Sequence, residues 1–169
     1  EFLPVMKEGG LDSMFFGLES ADNDILKSMR KGGLTIEKIE RVLKEVKDAG
    51  IQSYGAFIFG DVEETAASAA KTMKWCREHP EYLVHLTLIK PYPGSAVYHK
   101  AFEDGLIKDK VRYLRDGCPQ INISKMTNEE QALLAREISD STEFAAKLNS
   151  VKLLHLDERL GRKTLSATC

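Results

Sequence analysis

Three short apolar runs alternate along the chain with segments in which apolar residues recur at helical spacing. The runs are Leu11–Leu18, Ile51–Phe59 and Leu83–Ile89, and aromatic and branched aliphatic residues are frequent in them. Runs of this length and composition are typical of buried strands. Strands that alternate with helices in this way predict parallel βαβ units with right-handed crossovers.

Start and stop residues mark the predicted helices. Thr35 is a candidate N-cap, and Gly50 stands where a left-handed C-cap is expected. After the second run, Asp61 and Glu64 have the spacing of a capping box, but Thr65 is an alternative cap. The pattern leaves open which of these residues begins the helix.

The alternation of runs and helices is lost after Ile107. Residues 108–124 predict irregular structure with at most one short strand. Thr127 and Glu130 form a capping-box pattern that predicts a long helix to about Leu154. We therefore expect one part over residues 1–107 and a second over 108–169, made of an irregular segment and a long C-terminal helix.

Composition excludes several classes of protein. The chain has 169 residues, 43% hydrophobic and 30% charged, which predicts one soluble globular domain with its own core. A net charge of −2 gives no reason to expect a nucleic-acid groove, and no apolar run is long enough for a membrane span. Cys76, Cys118 and Cys169 are far apart, which predicts free thiols in the cytoplasm and no metal site.

Polar residues with possible chemistry follow the first predicted strand. Glu19 and Ser20 come directly after it, and Lys31 lies twelve positions beyond Glu19. In an α/β fold, polar groups just past the carboxyl end of a strand face the ligand crevice. The three could therefore contact one polar ligand. The alternative, which the local pattern alone favours, is that Glu19 and Ser20 cap a helix while Lys31 is solvated.

Four segments together resemble the second half of the radical S-adenosylmethionine (SAM) barrel. The resemblance is greatest to its cobalamin-binding type, which includes the anaerobic magnesium-protoporphyrin IX monomethyl ester cyclases. The segments, which stand in the family's order and spacing, are FGLES (16–20), LKSMRKG (26–32), GAFIFGDVEET (55–65) and LIKPYPGSAVY (88–98). The resemblance implies an α/β fold in which residues 1–107 form half of a TIM-type barrel, with three parallel βα units, followed by a C-terminal helical extension.

The resemblance also implies roles for particular residues. Glu19, with Ser20 beside it, would bind the ribose hydroxyls of SAM, and a carboxylate can accept hydrogen bonds from two hydroxyls. Lys31 would pair with the methionyl carboxylate of SAM. Backbone at the end of the second strand would approach the adenine, at the matching positions Ile58, Gly60 and Glu64. No residue is assigned a catalytic role.

Two features differ from the family pattern. The turn Gly-x-Pro-Gly-Glu-Thr is replaced by the sequence at 60–65, and the cysteine triplet that binds a [4Fe–4S] cluster is absent. Without a cluster no electron reaches SAM. We therefore expect an inactive C-terminal fragment of an active iron–sulfur oxidoreductase, methyltransferase or cyclase, whose missing N-terminal half binds the cluster. The parent would form a 5′-deoxyadenosyl radical from SAM, or use cobalamin to transfer a methyl group to a small-molecule substrate.

Two other kinds of protein fit parts of the pattern. One is a binding or interaction module that keeps half of the barrel without its chemistry. The other is a small α/β nucleotide-binding domain, which is less well supported because no glycine-rich phosphate loop follows any strand.

A half barrel would also leave one face of its sheet uncovered. We expect that face to carry Phe15, Phe57, Phe59 and Leu88 or their neighbours. Parallel sheets are normally buried on both faces, so the sequence predicts either a homodimer or a cover formed by the C-terminal helix.

Overall fold

A computed structural model of the protein describes residues 2–141. The elements follow one another in the order α1 (Leu3–Glu8), β1 (Ser13–Glu19), α2 (Asn23–Ser28), α3 (Ile36–Asp48), β2 (Gln52–Phe59), α4 (Ala66–Glu78), β3 (Leu83–Leu88), α5 (Ala96–Glu103) and α6 (Lys110–Arg115). A further helix, α7, is helical from residue 128 through residue 141.

The three predicted strands are confirmed and form one open parallel sheet. Their order is β1-β2-β3, so sequence neighbours are also neighbours in space. Phe15 lies opposite Tyr54, which in turn lies opposite Leu83. The result is an α/β fold whose open sheet is that of a partial TIM-type barrel, as the sequence predicts.

The predicted helix boundaries hold where a side chain caps the backbone. The Thr35 hydroxyl accepts the N–H of Lys38, and Gly50 adopts a φ of 71° directly after α3. At α4 the cap is Thr65, which forms a reciprocal box with Ser68. The capping-box interpretation of Asp61 and Glu64 is therefore wrong, because the N-cap is Thr65 and the helix begins at Ala66, two residues after Glu64.

Residues 108–124 contain more regular structure than their sequence predicts. Residues 110–115 form the six-residue helix α6, and residues 108–124 contain no strand. The box that opens α7 is confirmed, since Glu130 accepts the N–H of Thr127 and Thr127 accepts the N–H of Glu130. The predicted continuation of α7 to Leu154 lies outside the described residues.

The helices divide between two apolar clusters. The main core lies between the sheet and helices α2, α3, α4 and α7, and its buried members include Leu26, Leu43, Phe57, Met73 and Leu134. Helices α5 and α6 share a smaller cluster with the loops around them, formed by Tyr98, Ala101, Ile107, Tyr113 and Cys118. Thus α7, rather than α5, completes the main core.

One face of the sheet is uncovered by residues 2–141. Phe15 is 68% exposed and Tyr54 is 40% exposed on this face. The expectation that Phe57 and Phe59 lie there is wrong, because both are buried in the main core on the opposite face. Leu88 also packs against that core. The register explains this, since successive residues of a strand alternate between faces.

The described part of α7 lies on the covered side of the sheet. Leu134 and Ile138 belong to the main core. Arg77 of α4 pairs with Glu137 of α7 at 2.6 Å. Up to residue 141, then, this helix packs beside α4 and leaves the other sheet face open. Within residues 2–141 no helix has both the length and the hydropathy to cross a membrane.

Candidate functional site

Glu19 is the last residue of β1, and its carboxylate is held at the carboxyl edge of the sheet. The pairing with β2 shifts register between Gly17 and Glu19. Glu19 has a φ of 67°, a conformation that is uncommon for a residue with a side chain. A Cβ at Gly17 would come within 2.9 Å of Glu19 Oε1, so the glycine leaves the space that the carboxylate uses. Such a constrained backbone is frequent at ligand sites.

Lys31 reaches the same carboxylate from the end of α2. Its Nζ lies 2.6 Å from Glu19 Oε1, with side-chain exposures of 45% for Lys31 and 11% for Glu19. The left-handed conformation of Arg30 turns the chain after α2, and the N–H of Lys31 donates to the carbonyl of Leu26. The structure therefore brings together two of the predicted ligand residues, which neutralise each other.

A cavity with a volume of about 480 Å³ opens beside this pair, and both Glu19 and Lys31 line it. This volume lies in the range of small-molecule sites. Its other charged lining residues are Arg30, Asp61 and Lys100. The apolar part of its wall is formed by Met29, Ile58, Val62, Ile89, Ala96 and Val97.

Ser20 does not face this cavity. Only 1% of the residue is exposed, and its Oγ lies 3.2 Å from Thr72 Oγ1 on α4. Ser20 Oγ also accepts the N–H of Asp22 at 3.1 Å. Ser20 therefore makes its contacts on the side of the turn away from the cavity that Glu19 lines, and its contact with a ligand stays a prediction. Its hydroxyl ties the β1–α2 turn to α4.

Gly60 and Glu64 also lie away from the cavity wall. Gly60 has a φ of 94°, and its N–H donates to the Glu64 carboxylate. Glu64 is fully buried, and its carbonyl accepts the N–H of Lys125 at 2.9 Å. Of the positions matched to adenine contact, only Ile58 lines the cavity. The turn that Gly60 begins is instead held from inside by Glu64.

Burial gives Glu64 unusual acid–base behaviour. Loss of hydration raises the pKa of its carboxyl from 4.5 to about 7, against the opposing effect of the Gly60 N–H. Within residues 2–141, neither Glu64 Oε1 nor the nearby buried amide nitrogen of Gln131 has a hydrogen-bond partner. Glu64 is thus a buried group that releases its proton only as the pH approaches about 7.

Asp61 is a second carboxylate at the cavity that the sequence pattern does not single out as a ligand group. It is 5% exposed, lines the cavity and accepts a hydrogen bond from the Ser28 hydroxyl. Asp61 follows the last strand residue of β2 by two positions, so the strand-end rule that selected Glu19 could have selected it as well. The spacing of Asp61 and Glu64 is that of a capping box, which favours the interpretation of Asp61 as a helix cap instead.

The described residues offer no cluster or metal site. No group of three or more His, Cys, Asp or Glu side chains in 2–141 is arranged to hold a metal ion. Cys76 and Cys118 are free thiols, and burial raises the pKa of Cys76 to about 12. Cys76 is therefore protonated near neutral pH, a form that does not ligate iron.

Comparison with known proteins gives a family match and several relatives. Residues 1–76 match the family model described as the radical SAM superfamily. An uncharacterized methyltransferase of Pyrococcus horikoshii is 33% identical over 133 residues, which cover 78% of this chain and 29% of that protein. Bacteriochlorophyllide d C-8(2)-methyltransferase of Chlorobaculum tepidum is 27% identical over 101 residues, 59% of this chain and 22% of that protein.

A third relative has a different name. The anaerobic magnesium-protoporphyrin IX monomethyl ester cyclase of Rubrivivax gelatinosus is 27% identical over 113 residues, 67% of this chain and 20% of that protein. The chain thus spans between 20% and 29% of the length of these three relatives.

Proposed function

We propose, from the premise that this chain belongs to the radical SAM superfamily, that the Glu19–Lys31 cavity binds SAM. The observation that carries the proposal is the placement of one carboxylate and one ammonium group at the same end of a small-molecule cavity. The carboxylate can accept hydrogen bonds from the two ribose hydroxyls, and the ammonium can pair with the methionyl carboxylate.

The surroundings of the pair suit this ligand. Glu19 is largely shielded from water, which strengthens hydrogen bonds to its carboxylate. Ile58, Val62 and Ile89 supply an apolar wall of the kind that an adenine ring requires. Lys31 is half exposed, so its ammonium can turn toward an arriving methionyl carboxylate while the ribose hydroxyls bind the Glu19 carboxylate.

The chemistry that SAM supplies in this superfamily needs an electron from a [4Fe–4S] cluster, and the described residues do not fit one. Three thiolates have to converge on a cluster. Cys76 lies on α4, whereas Cys118 lies in the cluster formed by α5 and α6. We propose that cysteines outside this chain hold the iron, and that the chain alone is inactive.

Anaerobic reconstitution of the chain with iron and sulfide tests this point. We expect less than stoichiometric iron and no charge-transfer absorption, because Cys76 and Cys118 of the described residues lie in different parts of the fold, whereas a cluster needs three converging thiolates. A stoichiometric cluster that survives gel filtration would contradict the proposal. A Cys76→Ser variant is the matched control, and it should behave like the unmodified chain.

The reaction class of the whole protein is also a proposal. The printed names of the relatives include methyltransferases and a cyclase, which supports a methyltransferase or an oxidoreductase of the cyclase type. A methyltransferase of the type that the sequence resembles would also use cobalamin. We place the reaction on a small-molecule substrate in the cytoplasm, where free thiols such as Cys76 and Cys118 remain reduced.

For assembly we propose that two copies pair through the uncovered face of the sheet. Phe15 and Tyr54 are exposed on that face, and α7 lies on the other side through residue 141. Strands β1 and β3 are both edge strands of the described sheet. Apolar surface beside unpaired strand edges favours self-association.

Light scattering coupled to size-exclusion chromatography across a dilution series tests the pairing. We expect a mass near twice 18.9 kDa at high concentration that falls on dilution. Phe15→Ser should shift the equilibrium toward the monomer, and Val111→Ser, on an exposed residue of α6, is the control. A mass of 18.9 kDa at every concentration would rule the dimer out.

A further inference from the structure

The segment between α5 and α7 holds the carboxyl edge of the sheet through three backbone carbonyls. Gln120 Nε2 donates to the carbonyl of Ile89 at 2.6 Å. The Tyr113 hydroxyl donates to the carbonyl of Pro91 at 3.0 Å. The N–H of Lys125 donates to the carbonyl of Glu64 at 2.9 Å.

The first of these contacts acts on the cavity itself. Ile89 follows β3 and lines the cavity beside Glu19 and Lys31. Its N–H donates to the carbonyl of Phe59 at 2.7 Å, so β2 fixes the N–H of Ile89 and Gln120 fixes its carbonyl. A wall residue held on both sides presents its side chain in one place, which lowers the ordering cost of ligand binding.

The second contact, from the Tyr113 hydroxyl to the carbonyl of Pro91, restrains the same strand end two residues further along. Pro91 is fully buried and has no N–H, so its carbonyl is the backbone group through which hydrogen bonds can fix it. Tyr113 is buried in the cluster of α5 and α6. The two donors therefore attach the Ile89–Pro91 strand end to the segment between α5 and α7. Both the strand end and this segment lie beyond residue 76, where the family match ends.

We propose that Gln120 is a positioning residue that holds the Ile89 wall of the cavity and thereby raises its affinity for SAM. The inference rests on the proposed function of the cavity. Gln120 touches the Ile89 carbonyl rather than the cavity, so it acts through Ile89. Tyr113 restrains the same strand end through the carbonyl of Pro91. Truncation of Tyr113 would also disturb the smaller apolar cluster, so Gln120 is the better residue to replace.

Gln120 is suited to mutation because it is exposed, so its replacement leaves no buried void. Gln120→Leu removes the donor, and Gln120→Glu places a carboxylate without a donor near the Ile89 carbonyl. Gln120→Lys keeps an N–H donor on a side chain of sufficient length. Gln52→Leu is the matched control, because Gln52 also donates to a carbonyl, that of Ser53, at the amino end of β2.

Hydrogen exchange of the backbone amides of residues 89, 90 and 92 is the first measurement, on the ligand-free chain. Loss of one hydrogen bond should speed local exchange about three- to tenfold in the Leu and Glu variants of Gln120. Gln120→Lys and Gln52→Leu should exchange like the unmodified chain at these amides. Calorimetric titration with SAM should show a similar three- to tenfold weakening in the same two variants.

The results separate the positioning role from the function it rests on. Unchanged exchange in Gln120→Leu and Gln120→Glu, or unchanged SAM affinity in both, overturns the positioning role. Failure of Gln120→Lys to restore exchange also overturns it, because the donor would then not be what matters. Absence of SAM binding by the unmodified chain overturns the proposed function instead, and exchange then decides whether Gln120 holds the wall.

Discussion

Raising the pH from 4.5 to 8 should lower the free energy of unfolding by about 3 kcal/mol through Glu64 alone. Glu64 is fully buried, and its pKa is raised from 4.5 to about 7. Loss of hydration is the main cause, and the negative charges of Asp61 and Asp22 add to it. The folded chain therefore binds the proton more tightly than the unfolded chain does.

The free energy of unfolding falls as the pH rises because the folded chain keeps the Glu64 proton to a higher pH than the unfolded chain does. Below pH 4.5, Glu64 is protonated in both states and its stabilising contribution is complete. Between pH 4.5 and about 7 the unfolded chain releases the proton while the folded chain keeps it, so stability falls as the pH rises. Above about pH 7 both states are ionised and the loss is complete.

Urea unfolding at a series of pH values from 4.5 to 8 measures this effect. Glu64→Gln is the informative variant, because an amide can still accept the Gly60 N–H but does not ionise. We expect the fall in stability to be much smaller in this variant. Glu63→Gln is the neighbouring control, since Glu63 is an exposed partner of Lys125, and it should keep the original slope. Parallel pH profiles for the unmodified chain and Glu64→Gln would contradict this interpretation.

Replacing Glu19 or Lys31 by alanine should weaken SAM binding about 10- to 100-fold in each case. Each substitution removes a charge-assisted contact with the ligand, worth about 1.5–3 kcal/mol. The effects on stability should differ. Lys31→Ala leaves a largely buried carboxylate without its cation, whereas Glu19→Ala leaves a half-exposed ammonium that water can solvate.

Ser20→Ala separates the sequence-based assignment from the structural one. The structure turns Ser20 toward Thr72 and Asp22, so its removal should lower stability by about 1–2 kcal/mol and leave SAM affinity unchanged. Lys31→Arg keeps the positive charge and should retain most of the affinity. Calorimetry and urea unfolding on the same preparations measure both quantities. A loss of SAM affinity in Ser20→Ala without loss of stability would instead support the assignment of Ser20 to the ligand site.

Local patterns were enough to predict the strands, two helix caps and the proximity of Glu19 and Lys31. Thr35 and Thr127 cap helices in the structure because capping depends on residues within one turn. Glu19 and Lys31 meet because the carboxyl edge of a parallel sheet is a general place for ligands. These features need no knowledge of distant parts of the chain.

The other features depend on contacts between distant segments. Ser20 points to α4 because its hydroxyl forms a hydrogen bond with the hydroxyl of Thr72. Glu64 is buried where residues 60, 125 and 131 lie around it. Helix α6 has only six residues, too few for an apolar stripe to identify. Contacts of this kind decide which residues of a motif face the ligand.

The central claim is that Glu19 binds the ribose hydroxyls of SAM in this cavity. Calorimetric titration of the unmodified chain and of Glu19→Ala, with SAM and with its 2′,3′-dideoxy analogue, tests it most directly. We expect the unmodified chain to bind SAM at least about tenfold more tightly than the analogue, and Glu19→Ala to lose that preference. Equal affinity of the unmodified chain for the two ligands, or no binding of SAM, would contradict the claim.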